Sequence, residues 1–146
     1  MTTKPHEAAG AFVGEVRNTG SSPLGTFQLK LTLNRVDCGW VGRGGSQGIW
    51  ATIVDQADAQ TFQWYAYGGV TYLIIPNFGY MTWSGGLSGS PIAINSWAYA
   101  CGWDLQNGQL YPTGHPDMPM SVYDTNKGWL YANNGYSILG VTRVDL

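Results

Sequence analysis

Apolar and polar positions along this chain alternate over short distances. Thr26–Leu33 places Phe27, Leu29, Leu31 and Leu33 on one side and Gln28, Lys30 and Thr32 on the other, the period of a strand with one buried face. Comparable short runs, rich in β-branched and aromatic residues and broken by Gly, Asn, Asp and Pro, recur along the chain. They predict twelve strands: Ala11–Asn18, Thr26–Leu33, Ile49–Asp55, Phe62–Tyr67, Thr71–Ile75, Tyr80–Trp83, Pro91–Asn95, Gly102–Gln106, Gln109–Pro112, Met120–Asp124, Gly128–Ala132 and Ser137–Asp145. No glycine-free window sustains the i, i+3, i+4, i+7 spacing of an amphipathic helix. The expectation is an all-β chain, with residues 1–10 a flexible lead and 11–146 one domain.

The runs also repeat. Gly44-Gly45-Ser46-Gln47-Gly48 precedes Ile49–Ile53, and Gly85-Gly86-Leu87-Ser88-Gly89 precedes Ser90–Ile94. Ile53 and Ile94 are 41 residues apart, as are Phe62 and Trp103, and 41 more reach Val144. Trp64–Gly69 and Trp103–Gly108 both read as a strand, a Gly turn and the start of a new strand. This divides the domain into three pseudo-repeats, about 11–67, 70–107 and 109–146, of four strands each. One round alone exposes an apolar face it cannot bury. Six strands, two from each round, bury it by closing on themselves, and closure also removes sheet edges. Phe62, Trp103 and Val144 are then expected to meet near the axis.

Four strands in each of three rounds is the β-trefoil arrangement. The chain resembles β-trefoil proteins, and among them the ricin-B-like lectins most. Gln60-Thr61-Phe62 is similar to the Gln-x-Trp core motif of that family, and Trp103–Leu110 looks like its strand, Gly turn and strand. The Gln is not repeated, because Cys101 and Thr142 stand at the equivalent positions. The resemblance implies sugar binding at up to three sites per chain. A β-sandwich or jelly roll is the alternative fold.

Composition narrows the function. Hydrophobic residues are 44% and charged residues 11% of the chain, which excludes an intrinsically disordered segment. A net charge of −2 with seven Lys and Arg argues against a nucleic-acid partner. Between Ala59 and Trp103 there is no charged residue, but polar residues and glycines interrupt that stretch too often for membrane insertion. Cys38 and Cys101 form one bridge or remain two buried thiols. No apolar leader follows Met1-Thr2-Thr3-Lys4, so the expected location is cytoplasmic, or outside the cell without a classical leader.

Catalytic patterns are absent from the sequence. His6 and His115 make no metal-ligand pair, no Gly-x-Ser-x-Gly elbow occurs, and the Gly pairs lack a P-loop ending. The expectation is a non-enzymatic protein with no cofactor or metal.

What remains in surplus is aromatic and amide side chains near turns. A sugar presents hydroxyls to Asp, Asn and Gln and lays its C–H face on an aromatic ring. The third round offers such a set in Asp117, Asp124, Asn126, Trp129, Tyr131, Asn133 and Asn134. Alternation points Trp129 and Tyr131 to one face and Leu130 to the other. The competing reading makes Trp129 a plug for the barrel end and Asn133-Asn134-Gly135 a plain hairpin turn.

The middle round offers Tyr80, Trp83, Trp97 and Tyr99 with Asn77 and Asn95, and the first round a weaker set in Trp40 or Trp50 with Asp37 and Asp55. These residues favour a carbohydrate-binding protein whose partners are glycans or glycoproteins, strengthened by several sites or a homodimer. Its rivals are a trefoil protease inhibitor, presenting Ser21-Ser22-Pro23-Leu24 or Pro112-Thr113-Gly114-His115-Pro116, and a toxin or haemagglutinin component docking through residues 59–103.

Overall fold

The computed structural model describes residues 25–83, 91–95, 99–123 and 128–146. The expected flexible lead at 1–10, the expected strand Ala11–Asn18 and the Ser21–Leu24 segment lie outside them. The described residues are all-β: thirteen strands, two single 3-10 turns and no α-helix. In chain order the strands are β1 (Phe27–Leu33), β2 (Val36–Gly44), β3 (Trp50–Val54), β4 (Gln63–Tyr67), β5 (Val70–Ile75), β6 (Gly79–Thr82) and β7 (Ala93–Asn95). They continue as β8 (Trp103–Gln106), β9 (Gln109–Pro112), β10 (Met120–Val122), β11 (Leu130–Ala132), β12 (Ser137–Ile138) and β13 (Gly140–Asp145).

Two features depart from the sequence reading. The strand β2 was not expected, because Gly39, Gly42 and Gly44 break its apolar pattern. Those glycines belong there because β2 lies against β3: a Cβ on Gly39 would sit 2.5 Å from Ile53 Cγ2, and one on Gly42 2.5 Å from Val54 Cγ2. The stretch expected as one strand over Ser137–Asp145 serves two partners. β12 pairs with β10 and β13 with β1, with the buried Leu139 between them.

Local turn chemistry sets the hairpins. β1–β2, β4–β5 and β8–β9 are each joined by two residues with positive φ, at Asn34-Arg35, Gly68-Gly69 and Asn107-Gly108, the geometry that matches strand twist. One large sheet runs β13-β1-β2-β3-β7-β6-β5-β4, beside a β11-β10-β12 sheet and the β8-β9 pair.

Shorter contacts join these sheets. Phe27 and Phe62 exchange hydrogen bonds, with Phe27 N–H donating to the Phe62 carbonyl at 3.0 Å and the reverse bond at 2.7 Å. Tyr72 in β5 bridges to Gly102, just ahead of β8. Val141 N–H in β13 donates to the Gly108 carbonyl at 2.8 Å, just ahead of β9. With the β1–β13, β4–β5 and β8–β9 pairings, the strands β1, β4, β5, β8, β9 and β13 form a circuit of neighbours.

The other strands make hairpins β2–β3, β6–β7 and β10–β11. Their second arms bind one another: Ala51 N–H donates to the Ile92 carbonyl at 3.0 Å, Ile92 N–H to the Leu130 carbonyl at 2.7 Å, and Ile53 N–H to the Gly128 carbonyl at 2.7 Å. Ala51, Ile92 and Leu130 are fully buried where the arms meet.

These three residues also give the register of the repeat. Ala51 and Ile92 are 41 residues apart, but Ile92 and Leu130 only 38. The expectation for Val144 is corrected accordingly. Counting 38 from Trp103 reaches Val141, which is buried in one core cluster with Phe62 and Trp103, whereas Val144 is half-buried. Trp103 also donates its indole N–H to the Met81 carbonyl at 3.1 Å inside that core. Such a bond removes the cost of burying an unpaired indole.

Candidate functional site

Where β3 meets β7, a cleft of about 500 Å³ opens. Its position follows from strand pairing. Trp50, the first residue of β3, stands opposite Ala93 of β7, so a bulky ring faces a methyl group and leaves a concavity. On β7, Ile94 is buried with Ile92 just before it, while Ala93 and Asn95 alternate outward. Thr82 and Trp83, at the end of β6, form a further wall, and Pro91 and Tyr99 complete the lining.

The lining is mainly aromatic and apolar. Trp83 is largely buried, and its ring meets that of His115 edge-on at 5.0 Å. Tyr99, by contrast, is 67% exposed, so its ring is available to a ligand. Thr82 Oγ1 donates to the Ala93 carbonyl at 3.2 Å, which ties the hydroxyl to the wall. Asn95, exposed at the end of β7, supplies an amide. Trp50 is held from the far side by Trp129, edge-on at 5.9 Å between ring centroids.

Gly45 sits against both rings. Its φ is +77°, and a Cβ there would come within 2.6 Å of Trp50 Cδ1 and 3.0 Å of Trp129 Cη2. Glycine is therefore required at this position both for backbone conformation and for space.

Of the set expected in the third round, the structure describes Asp117, Trp129, Tyr131, Asn133 and Asn134. Leu130 points inward and is fully buried, with Trp129 and Tyr131 half-buried on the opposite face. Trp129 leans on Trp50 in the first round, and Tyr131 meets Tyr136 edge-on at 5.0 Å. Asn133 Oδ1 accepts the Gly135 N–H at 2.6 Å, and its own N–H donates to the Pro119 carbonyl at 3.1 Å. It holds a turn, and its neighbour Asn134 is exposed in the same bend. Asp117 is exposed in the 113–119 loop. Asp124, Asn126 and Trp97 lie outside the described residues.

Trp50, assigned by sequence to a separate first-round set, joins the middle-round residues Trp83, Asn95 and Tyr99 instead. Thr82, Pro91 and Ala93 were missed as lining residues. One signal was present: the 41-residue offset that aligns Ile53 with Ile94 also aligns Trp50 with Pro91, placing both on the outer face beside the joined hairpin arms.

Other candidate chemistry is limited. Cys38 and Cys101 are free thiols. Burial is the main cause raising both, and it pushes Cys101 up to about 11; a thiol held protonated is a poor nucleophile. Among the described residues no three His, Cys, Asp or Glu side chains gather as a metal site, and no helix is long and apolar enough to cross a membrane. The loop from Pro112 to Met118 folds back on itself, with His115 N–H donating to the Pro112 carbonyl and Met118 N–H to the His115 carbonyl, both at 2.9 Å.

In comparisons with known proteins, no family model, curated protein or solved structure matches this chain.

Proposed function

We propose that this protein is a non-catalytic carbohydrate-binding protein of β-trefoil type, and that its sugar site is the cleft between β3 and β7. The observation that carries the functional reading is the convergence of Trp50, Trp83 and Tyr99 with the Asn95 amide on one concavity of about 500 Å³. That volume lies within the usual range for small-ligand sites. Aromatic rings offer flat apolar faces to the C–H side of a pyranose, while an amide at the rim donates to and accepts from its hydroxyls.

The trefoil reading is supported by the circuit of β1, β4, β5, β8, β9 and β13. It draws further support from three hairpins whose second arms bond to one another around Ala51, Ile92 and Leu130. A sandwich or jelly roll would not be expected to bring three successive hairpins together in this way.

A glycan array on the wild-type chain beside Trp50→Ala and Tyr99→Ala tests the function. The expected result is a wild-type signal competed by free sugar and lost in both variants, with the far-UV spectrum unchanged. Absence of any wild-type glycan signal, or full signal in both folded variants, overturns it.

A further inference from the structure

The cleft carries no formal charge. Trp50, Thr82, Trp83, Pro91, Ala93, Asn95 and Tyr99 include no Asp, Glu, Lys, Arg or His, and six of the seven fall within the 59–103 stretch that holds no Asp, Glu, Lys or Arg. Every residue from 84 to 90 and from 96 to 98, which adjoins these walls in sequence, is uncharged as well. Arg43 is engaged elsewhere: its guanidinium stacks over the Phe78 ring at 3.8 Å and donates to the Gly48 carbonyl at 3.2 Å. His115 touches the Trp83 ring but is not a lining residue.

On the reading that this cleft holds a saccharide, we infer that it selects uncharged sugars and discriminates against uronic acids and other acidic glycans. A carboxylate entering this cleft gives up hydration and finds no cation among the described lining residues in return. The hydroxyl of Thr82 is bonded to the Ala93 carbonyl, and the other donors on the lining, the Trp50 and Trp83 indoles, the Tyr99 hydroxyl and the Asn95 amide, are all neutral groups. A neutral hexose avoids this cost by laying its C–H face on Trp50 and Tyr99 while its hydroxyls stay in water or reach Asn95. Within the long uncharged stretch, Thr82, Trp83, Pro91, Ala93, Asn95 and Tyr99 thereby gain a role as the wall of a site.

Ligand-observed NMR at pH 8 with pairs differing only at C6 provides the test: glucose and glucuronate, galactose and galacturonate, mannose and mannuronate. The expected result is that any hexose that binds does so at least about ten-fold more tightly than its uronate, since tenfold corresponds to ~1.4 kcal/mol, a small part of a carboxylate's desolvation cost. Asn95→Lys, an exposed change that adds a cation to the rim, is expected to shift that ratio toward the uronate. Equal or tighter uronate binding by the wild type, lost in Trp50→Ala, overturns the charge selection while leaving the sugar-binding reading intact. Binding of neither member of any pair, together with a blank glycan array, removes both.

Discussion

Trp129 meets Trp50 edge-on with ring centroids 5.9 Å apart, which joins the third round of the chain to the first beside the cleft. The contact gives Trp129 a supporting role: it braces the ring that lines the cleft. Trp129→Ala is expected to cost about 2 kcal/mol of stability in denaturant unfolding and to weaken glycan binding through a mobile Trp50, while Trp129→Phe retains most of both. Asp117→Ala, an exposed loop change, is expected to alter stability by less than about 0.5 kcal/mol and to leave glycan titrations unchanged. A loss of binding in Asp117→Ala with Trp129→Phe unaffected would restore the third-round set as the site.

Trp103 is fully buried and its N–H is spent on the Met81 carbonyl. Trp103→Phe is expected to cost about 1–3 kcal/mol by leaving that carbonyl unpaired, and Trp103→Ala about 3–5 kcal/mol by opening a cavity. Val141→Ala should destabilise more than Val144→Ala, because Val141 occupies the core position and Val144 only its margin. Thermal or urea unfolding of the four variants decides the ranking.

Two glycines separate steric need from backbone need. At Gly68 (φ +60°) an added Cβ meets nothing within 4 Å, whereas at Gly39 (φ +138°) it meets Ile53 Cγ2 at 2.5 Å and the Val54 carbonyl oxygen at 2.9 Å. Gly68→Ala is expected to cost about 1 kcal/mol, the left-handed penalty alone. Gly39→Ala is expected to cost more than twice as much, or to shift β2 away from β3, as amide hydrogen exchange across β2 would show.

Cys101 carries a pH signature. Burial pushes its thiol up to about 11 from 9.0, so the folded state holds the proton that the unfolded chain releases at lower pH. The resulting stability is complete below about pH 9 and is lost as pH rises toward 11, a fall of at most about 3 kcal/mol from this one group. Denaturant midpoints at pH 8 and 10.5, with Cys101→Ser as control, are expected to show a smaller alkaline loss in the variant. Disulfide-exchange reagents at pH 8 should react slowly with both Cys101 and Cys38, which is also raised by burial.

Alternation and turn residues alone located ten of the strands one for one, most to within a residue or two, and ran β12 and β13 together as one, because a one-sided strand must repeat every second position. They also set Leu130 on the face opposite Trp129 and Tyr131, and the structure turned Leu130 inward. The 41-residue spacing carried the first two rounds, whose hairpin arms do align as Ala51 with Ile92. Strand β2 was illegible because its glycines answer to the side chains of β3, a neighbour that periodicity does not reveal. The spacing from Ile92 to Leu130 is three residues shorter than that from Ala51 to Ile92, which moved the buried position from Val144 to Val141.

Sequence therefore determined that the described residues are all-β and that one long stretch is uncharged, since these properties follow from local periodicity and composition. Tertiary structure decided that Trp50 stands beside Asn95 and Tyr99, that Trp129 braces it, and that Asn133 holds a turn. The physical reason is that a cleft forms where strands distant in sequence are paired: the space opposite Ala93 exists only once β3 lies against β7, and nothing local to either segment encodes that pairing.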